Sequence, residues 1–236
     1  MKTPASLQKL QYLFRVGLEL ANLPVARLCF HERLNPRQIR SIYENFTRPH
    51  PRYKVFANKS MGIALVDLAG FSHPADYLDS VRQRGHAGPQ GRKARARGYT
   101  LREIDRNEHV NAIHDINTSS DMRQGRPMDD AYLEKKLYYE PQPHFRCYGV
   151  FSSEGQLVAY CNVGFFGNFA ATDQLMGYKN GDGVMYMLLA DLICQLIMER
   201  KLDYFMYDTF LGAQPGLRDF KRRVGFRPYR VRYDIV

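Results

Sequence analysis

The sequence predicts an α/β protein with a central mixed β-sheet flanked by helices, and three patterns lead to this prediction. Residues 147–151 and 156–166 are two apolar runs separated by a short polar turn, which indicates a β-hairpin. In residues 184–200 the apolar side chains recur every three or four positions, the period of a helix with a broad buried face. Short apolar runs and a further helical pattern follow, so strands and helices are expected to form layers.

The first 110 residues are predicted to contain helices and short strands. Helices are expected at 6–20 and 35–46, and the second has Pro36 in its first turn, where the missing N–H would have no helical partner anyway. Strands are expected at 53–56, 61–66 and 100–104.

The second half shows the clearer succession of elements. In order, the patterns predict a helix at 107–116, a polar loop at 116–128, the hairpin, a strand at 169–178, the long helix with Asp182 as its N-cap, a strand at 202–207, a loop at 208–215, a helix at 217–224 that ends at Gly225, and a strand at 226–235.

Composition bounds the class of protein. Hydrophobic residues make up 44% and aromatic residues 13% of the 236 residues, values typical of a globular chain that can bury a core. No run of 18 apolar residues occurs, so we expect no membrane span, and residues 1–30 lack the pattern of a secretory signal. The 4 cysteines show no CxxC spacing, which favours reduced, buried thiols in a cytoplasmic protein and no metal site.

The formal net charge of +10 is large for this length. Such an excess favours a phosphate-rich partner, namely tRNA or another nucleic acid, a nucleotide-bearing donor or an acidic carrier. The alternative is a basic protein with no polyanionic partner.

Five short motifs in residues 182–226 suggest a family. They are Leu188-Leu189 in the long helix, Tyr207-Asp208 at a strand end, Gly216-Leu217, Phe220-Lys221 and the closing Gly225. Together they resemble the second half of a GNAT-type acyltransferase, and more narrowly its Fem-like branch. The resemblance implies a single GNAT-like domain over 1–236. Within it, 111–236 would be the acyltransferase core and 1–110 a helical portion that partly repeats it.

The segment 77–99 is rich in Arg, Lys and Gly. Fem-like proteins tend to have a Tyr-x-x-Ser followed by an Arg-rich helix at this point, and the matching residues here are Tyr77, Ser80, Arg92, Lys93, Arg95 and Arg97. Guanidinium groups suit phosphate oxygens, so Arg92, Lys93 and Arg95 are candidate phosphate-binding residues. The alternative is a mobile, solvated basic loop.

In GNAT folds the loop that enters the long helix binds coenzyme A pyrophosphate through backbone N–H groups. Here that loop contains Gly181, Asp182 and Gly183. The glycines permit close approach of a phosphate, but Asp182 places a negative charge beside it. A plain turn and helix cap explains the same residues.

Asp208 and Lys221 are the candidate catalytic residues. Asp208 follows an apolar strand, where a carboxylate can orient or deprotonate an acceptor amine, although it could instead cap the following loop. Lys221 stands where ordinary acetyltransferases often have a proton-donating Tyr, and the resemblance implies that Fem-like enzymes share this Lys. With a lowered pKa it could donate a proton; otherwise it is a fixed positive charge for an oxyanion, or a helix-surface residue.

The loop at 116–128 supplies candidate substrate-binding residues. Arg123, Gln124 and Arg126 could bind a phosphate or carboxylate, or Asp121 could pair with the arginines as a structural clasp. Tyr207 is a further candidate, although its apolar strand favours a place in the core.

These observations lead to the expectation of an N-acyl or aminoacyl transferase acting by direct attack of an amine on a carbonyl. The donor would be an aminoacyl-tRNA or an acyl-coenzyme A, with no tightly bound cofactor, and the acceptor a small-molecule or peptide amine. The alternatives are a GNAT-like enzyme that modifies a nucleic-acid base, or a non-catalytic nucleic-acid-binding protein with this fold.

Overall fold

A computed structural model describes residues 20–51, 54–82, 87–123 and 126–236. The helix predicted at 6–20 lies outside the described residues, apart from its last position, and Gln124 also lies outside them. None of the described helices is both long enough and apolar enough to cross a bilayer.

The described chain forms strands and helices in close succession. The strands are β1 (Val25–Phe30), β2 (Met61–Asp67), β3 (Thr100–Ile104), β4 (Met122–Arg123), β5 (Arg126–Pro127), β6 (Phe145–Phe151), β7 (Leu157–Phe165), β8 (Phe169–Gly177), β9 (Tyr204–Thr209) and β10 (Arg227–Ile235). The α-helices are α1 (Pro36–Thr47), α2 (Pro74–Arg82), α3 (Ala87–Ala96), α4 (Val110–Thr118), α5 (Asp130–Leu133), α6 (Val184–Glu199) and α7 (Pro215–Val224). Short 3₁₀ turns occupy Glu32–Leu34 and Arg106–His109.

Eight strands form one sheet in the order β1-β10-β2-β9-β8-β7-β6-β3. The β1–β10 and β8–β9 pairs are parallel and the other neighbours are antiparallel, so the predicted mixed sheet is confirmed. Strands from the first 110 residues form both edges of this sheet, β1 and β3, and contribute β2 to its interior. β4 and β5 form a separate two-stranded hairpin.

Helices cover both faces of the sheet, because alternate side chains along each strand enter different cores. In β2, Ala64 and Val66 pack in a core with α6, α2 and α7, whereas Ile63 and Leu65 pack on the other face in a core with α1. α4 covers β6 and β7 on that same second face. The predicted arrangement of helices on both faces is therefore confirmed.

The segment 77–99 is largely helical, so the solvated-loop interpretation is wrong and the predicted Arg-rich helix is α3. Ala87, Gly91 and Ala94 recur at helical spacing and are buried on the face of α3 that meets α6. Their small size lets the two helices approach closely, and the basic residues of α3 then lie on its other faces. A second correction concerns 53–56, because residues 54–56 are not in a strand.

The sheet opens between β8 and β9. The two strands pair only through Phe169–Ala171 and Tyr204–Met206. Beyond these residues each strand pairs only with its other neighbour, β8 with β7 and β9 with β2. The carboxyl ends of the two parallel strands therefore separate. This opening is where the candidate active site lies.

Substitution of Gly183 tests the close approach of α3 to the N-terminus of α6. Its φ of +83° is a left-handed conformation, and a Cβ here would overlap the carbonyl oxygen of Gln90 on α3. We expect Gly183→Ala to lower the free energy of unfolding by about 2 kcal/mol or more, measured by urea denaturation. Gly181→Ala is the matched control, because a Cβ there meets no atom within 4 Å. Equal stability of the two variants would contradict the close approach of α3 to α6.

Candidate active site

Two cavities lie on either side of the opening between β8 and β9. The large cavity, of about 810 Å³, extends over the N-terminus of α6 between residues 175–186 and α7. The small cavity, of about 390 Å³, lies between α1, the β4–β5 hairpin and the ends of β8 and β9. Arg123, Leu175 and Tyr207 line both cavities, so the two spaces meet at the opening.

Asp208 lies in a bulge at the end of β9. Ile63 pairs with Thr209 and Leu65 with Met206, so two residues of β9 stand opposite one residue of β2. Asp208 has a φ of +48°, an unusual conformation for a residue other than glycine, and its carboxylate lines the small cavity in an ion pair with Lys59. Bulges and strained backbone are common beside functional sites because they redirect side chains.

Lys221 is buried beneath this bulge, with 1% of its surface exposed, so the helix-surface interpretation is wrong. Its ammonium donates hydrogen bonds of 2.7 Å to the carbonyl oxygens of Tyr207 and Thr209, the two neighbours of Asp208. It also lies 4.2 Å from the centre of the Tyr207 ring. The three N–H groups thus have protein partners available, and Lys221 lines neither cavity. It holds the backbone on both sides of Asp208 rather than facing a substrate.

Burial lowers the pKa of Lys221 from 10.5 to about 8, while the nearby Asp208 carboxylate opposes this change. Proton donation by Lys221 would require such a lowered pKa, but its ammonium already donates hydrogen bonds to the two carbonyl groups. The measurable consequence of the lowered pKa is therefore a pH-dependent stability of the fold.

Arg123 and Arg126 lie on the β4–β5 hairpin and line the small cavity. Both donate to the same oxygen of Asp129, at 3.4 Å and 3.2 Å, and the Arg123 guanidinium lies over the Tyr132 ring. The structural clasp that the sequence offered as an alternative is therefore present, but its carboxylate is Asp129 rather than Asp121. Two guanidinium groups share one carboxylate, so the cluster keeps a positive charge.

Asp173 lines the small cavity and was missed by sequence reasoning. Asn162 pairs with Gln174 and Val163 with Thr172, so Asp173 is the extra residue of a bulge in β8. The buried amide of Asn162 donates a 3.0 Å hydrogen bond to one of its carboxylate oxygens. A polar Asp in the middle of the predicted strand 169–178 was the available signal, since such a residue interrupts the apolar alternation.

Side chains of α3 and of the residues that follow α3 bind the loop before α6. Asp182 is not the N-cap; that position is occupied by Gly183, and the Asp182 side chain instead forms an ion pair with Arg97 and accepts a 2.9 Å hydrogen bond from the Tyr99 hydroxyl. Lys93 donates a 2.6 Å hydrogen bond to the carbonyl oxygen of Gly181. The negative charge of Asp182 is therefore compensated within the protein.

The basic residues of α3 have different surroundings. Arg95 forms an ion pair with Asp191 of α6, and Lys93 and Arg97 bind the loop at residues 181–182. Arg92 is exposed and has no ion-pair partner among the described residues. Most of the predicted phosphate-binding set thus also stabilises the packing of α3, which the sequence could not reveal.

Two serines, Ser119 and Ser120, line the large cavity, but their hydroxyls donate hydrogen bonds to the carbonyl oxygens of Ile116 and Met122. No Cys or His lines either cavity within the described residues. Burial raises the pKa of Cys147 to about 12 and of Cys194 to about 11, which keeps both thiols protonated. Tyr207 is 9% exposed, which confirms its predicted position in the core, although it also lines both cavities. Burial raises the pKa of its hydroxyl. No group of three metal-binding side chains comes together in the parts of the chain that the structure describes.

Comparison with known proteins finds likeness in structure alone. No protein-family profile and no curated protein sequence matches the chain. FemX superposes with a TM-score of 0.56 and 10% identity over 83% of this chain and 66% of its own. The chain has the Fem-like fold. This confirms, at the level of fold, the resemblance that the motifs predicted.

Two further structures show weaker likeness. L-PGS from Bacillus licheniformis is 18% identical over 70% of this chain, with a TM-score of 0.42, and this chain spans 57% of its length. A GCN5-related N-acetyltransferase from Kribbella flavida is 15% identical over 56% of this chain, with a TM-score of 0.38, and this chain spans 47% of its length.

The lowered pKa of Lys221 leads to a prediction about how the stability of the fold depends on pH. Between pH 8 and 10.5 the unfolded chain binds a proton that the folded protein has lost, so the free energy of unfolding gains from this group as the pH rises. Relative to Lys221→Met, the wild-type protein should gain stability across this interval by up to about 1.4 kcal/mol per pH unit. Urea unfolding at several pH values measures this difference.

The matched control is Lys201→Met, which removes an exposed Lys and should show no such pH-dependent difference. A flat difference for Lys221→Met would mean that the buried ammonium retains its ordinary pKa, and that the carbonyl groups fully compensate its burial.

Proposed function

We propose that this chain is a transferase that moves an acyl or aminoacyl group from a phosphate-bearing carrier to an amine. The observation that supports this most strongly is the meeting of the two cavities at the opening between β8 and β9. A donor carbonyl placed beside Tyr207 and Leu175 could be reached from the large cavity by the carrier and from the small cavity by the amine. Holding both reactants in this geometry is a large part of catalysis for such a reaction.

In the proposed reaction the amine attacks the donor carbonyl directly. The amine nitrogen forms a bond to the carbonyl carbon, the carrier oxygen or sulfur leaves with its bonding electrons, and the amine gives up one proton. No Cys lines the described cavity walls, and no His lies there to activate Ser119 or Ser120, which supports direct attack over a covalent enzyme intermediate. Asp208 is the proposed proton acceptor, because its carboxylate lines the small cavity and is more than half exposed.

Lys221 is a positioning residue in this proposal. Its ammonium binds the carbonyl groups before and after Asp208 and so maintains the bulge from which the Asp208 carboxylate extends. A buried charge with these partners also contributes a positive potential to the end of β9, where negative charge develops during the reaction.

An aminoacyl-tRNA suits the large cavity better than coenzyme A. The position at the N-terminus of α6, where a pyrophosphate would bind, is approached by the carbonyl oxygen of Gln90, which disfavours an anion there. The Lys93 and Arg92 side chains on α3 and the net charge of +10 instead favour a polyanion along the outside of this cavity.

The donor can be tested by thermal unfolding and by transfer. Acetyl-coenzyme A at micromolar concentration should leave the melting temperature unchanged, since a ligand that binds the folded state would raise it by mass action. A pool of tRNA charged with labelled amino acids should transfer label to amines, and mass spectrometry of copurified RNA should identify the tRNA. A clear shift with acetyl-coenzyme A would instead favour a thioester donor. Salt-dependent RNA binding without transfer would favour the non-catalytic alternative.

Asp208→Asn tests the proton acceptor. Asn adopts left-handed backbone conformations readily, so this variant should retain the bulge and the melting temperature. Single-turnover transfer should fall by about a hundredfold or more, because the amide cannot accept the proton. Asp234→Asn, an exposed carboxylate on β10 that lines neither cavity, is the control and should keep full activity. Retained activity in Asp208→Asn would remove Asp208 from the mechanism.

A further inference from the structure

The small cavity has a positive wall on the hairpin. Arg123 and Arg126 line it, and both share one oxygen of Asp129 at 3.4 Å and 3.2 Å. One carboxylate cannot satisfy two guanidinium groups, each of which presents several N–H donors in a planar fork. The Arg126 side chain is 60% exposed, so it has donors available for a ligand.

The part of the wall formed by β8 and β9 is negative. Asp173 and Asp208 both line the cavity there. Lys59 neutralises Asp208, whereas Asp173 is bound only by the uncharged amide of Asn162 among the described residues. The strand wall therefore keeps a negative charge while the hairpin wall keeps a positive one.

Tyr132 shows that these opposite charges act on the same space. Its hydroxyl lies within electrostatic range of Arg123, Asp173, Asp129 and Arg126 together. Burial is the main reason that the pKa of Tyr132 is raised, and among the charges the arginines lower it and the carboxylates raise it. The four charged groups therefore lie near Tyr132, and Arg123, Arg126 and Asp173 line the same cavity as Tyr132.

We propose that the acceptor bound in the small cavity is an amine that also carries an anionic group, a carboxylate or a phosphate. The anionic group binds Arg123 and Arg126, and the amine binds as an ammonium beside Asp173 and Asp208, at the opening. This rests on the proposed transferase function and specifies its acceptor. A cavity of about 390 Å³ has the size of a small-ligand site, which suits an amino acid, a short peptide or an amino phosphate.

The physical reason is the complementarity of two separated charges. A plain amine would leave the hairpin cations without a partner, and a plain anion would meet the repulsion of Asp173. A ligand with both groups satisfies both walls, and charge-assisted hydrogen bonds to the arginine forks are stronger than neutral ones. This charge requirement would discriminate against simple alkylamines.

The experiment measures binding without transfer. Isothermal titration of the full chain would use alanylalanine, its C-terminal amide, N-acetyl-alanylalanine and O-phosphoethanolamine. We expect alanylalanine to bind at least about tenfold more tightly than either blocked form, since each blocked form loses one charge-assisted contact. O-phosphoethanolamine binding more tightly than alanylalanine would identify phosphate as the anion, and the reverse order would identify carboxylate.

Variants assign the two walls. Arg126→Gln should weaken alanylalanine binding about tenfold and leave the affinity for the C-terminal amide unchanged, whereas Asp173→Asn should weaken both. Lys136→Gln is the control, because Lys136 is an exposed cation paired with Glu134 outside the cavity. The melting temperatures of all three variants, compared with that of the wild-type protein, test whether the fold is intact.

The outcomes separate this inference from the proposed function. Equal affinity for the acid and amide forms, or no saturable binding of any probe at millimolar concentration, would overturn the inference. Transfer to alkylamines as efficient as transfer to alanylalanine would also overturn it while leaving the transferase function in place. Specific binding of alanylalanine with no transfer from any donor would support the inference and count against the proposed function.

Discussion

The hydrogen bonds from the buried Lys221 ammonium to the carbonyl groups of Tyr207 and Thr209 are the interaction on which the site depends. The buried ammonium of Lys221 thereby connects helix α7 to the end of strand β9. Burial of an ammonium is costly unless hydrogen bonds compensate it, so the two carbonyl groups and the Tyr207 ring must stay in place. These bonds hold the backbone on both sides of Asp208, whose own conformation is left-handed.

The opening of the sheet has a second cause on the neighbouring strand. The extra residue Asp173 bends β8 away while the Asp208 bulge bends β9, so two parallel strands that pair over three residues then separate. Each bulge also places a carboxylate at the small cavity. The same local irregularities therefore create the space between the strands and supply its charged groups.

Packing and charge are combined in α3 as well. The small residues Ala87, Gly91 and Ala94 allow α3 to lie close to α6, and its cations then bind Asp182, Asp191 and the carbonyl group of Gly181. A basic segment that would suit a polyanion in isolation thus also holds the entrance to the long helix.

Sequence patterns determined the elements whose periodicity is strong. The long helix, the β6–β7 hairpin, the final strand and the glycine that ends α7 were predictable, because burial of one face imposes a period of two or of 3.6 residues on the chain. Asp208 and Lys221 could also be selected, since their positions beside a strand end and in a helix are local. Their relation could not, because Lys221 reaches the carbonyl groups of β9 only after α7 has packed on the sheet. The partners of Arg123, Arg126 and Asp182, and the position of Asp173, were likewise decided by tertiary structure, because strand register and long-range ion pairs depend on residues far apart in the chain.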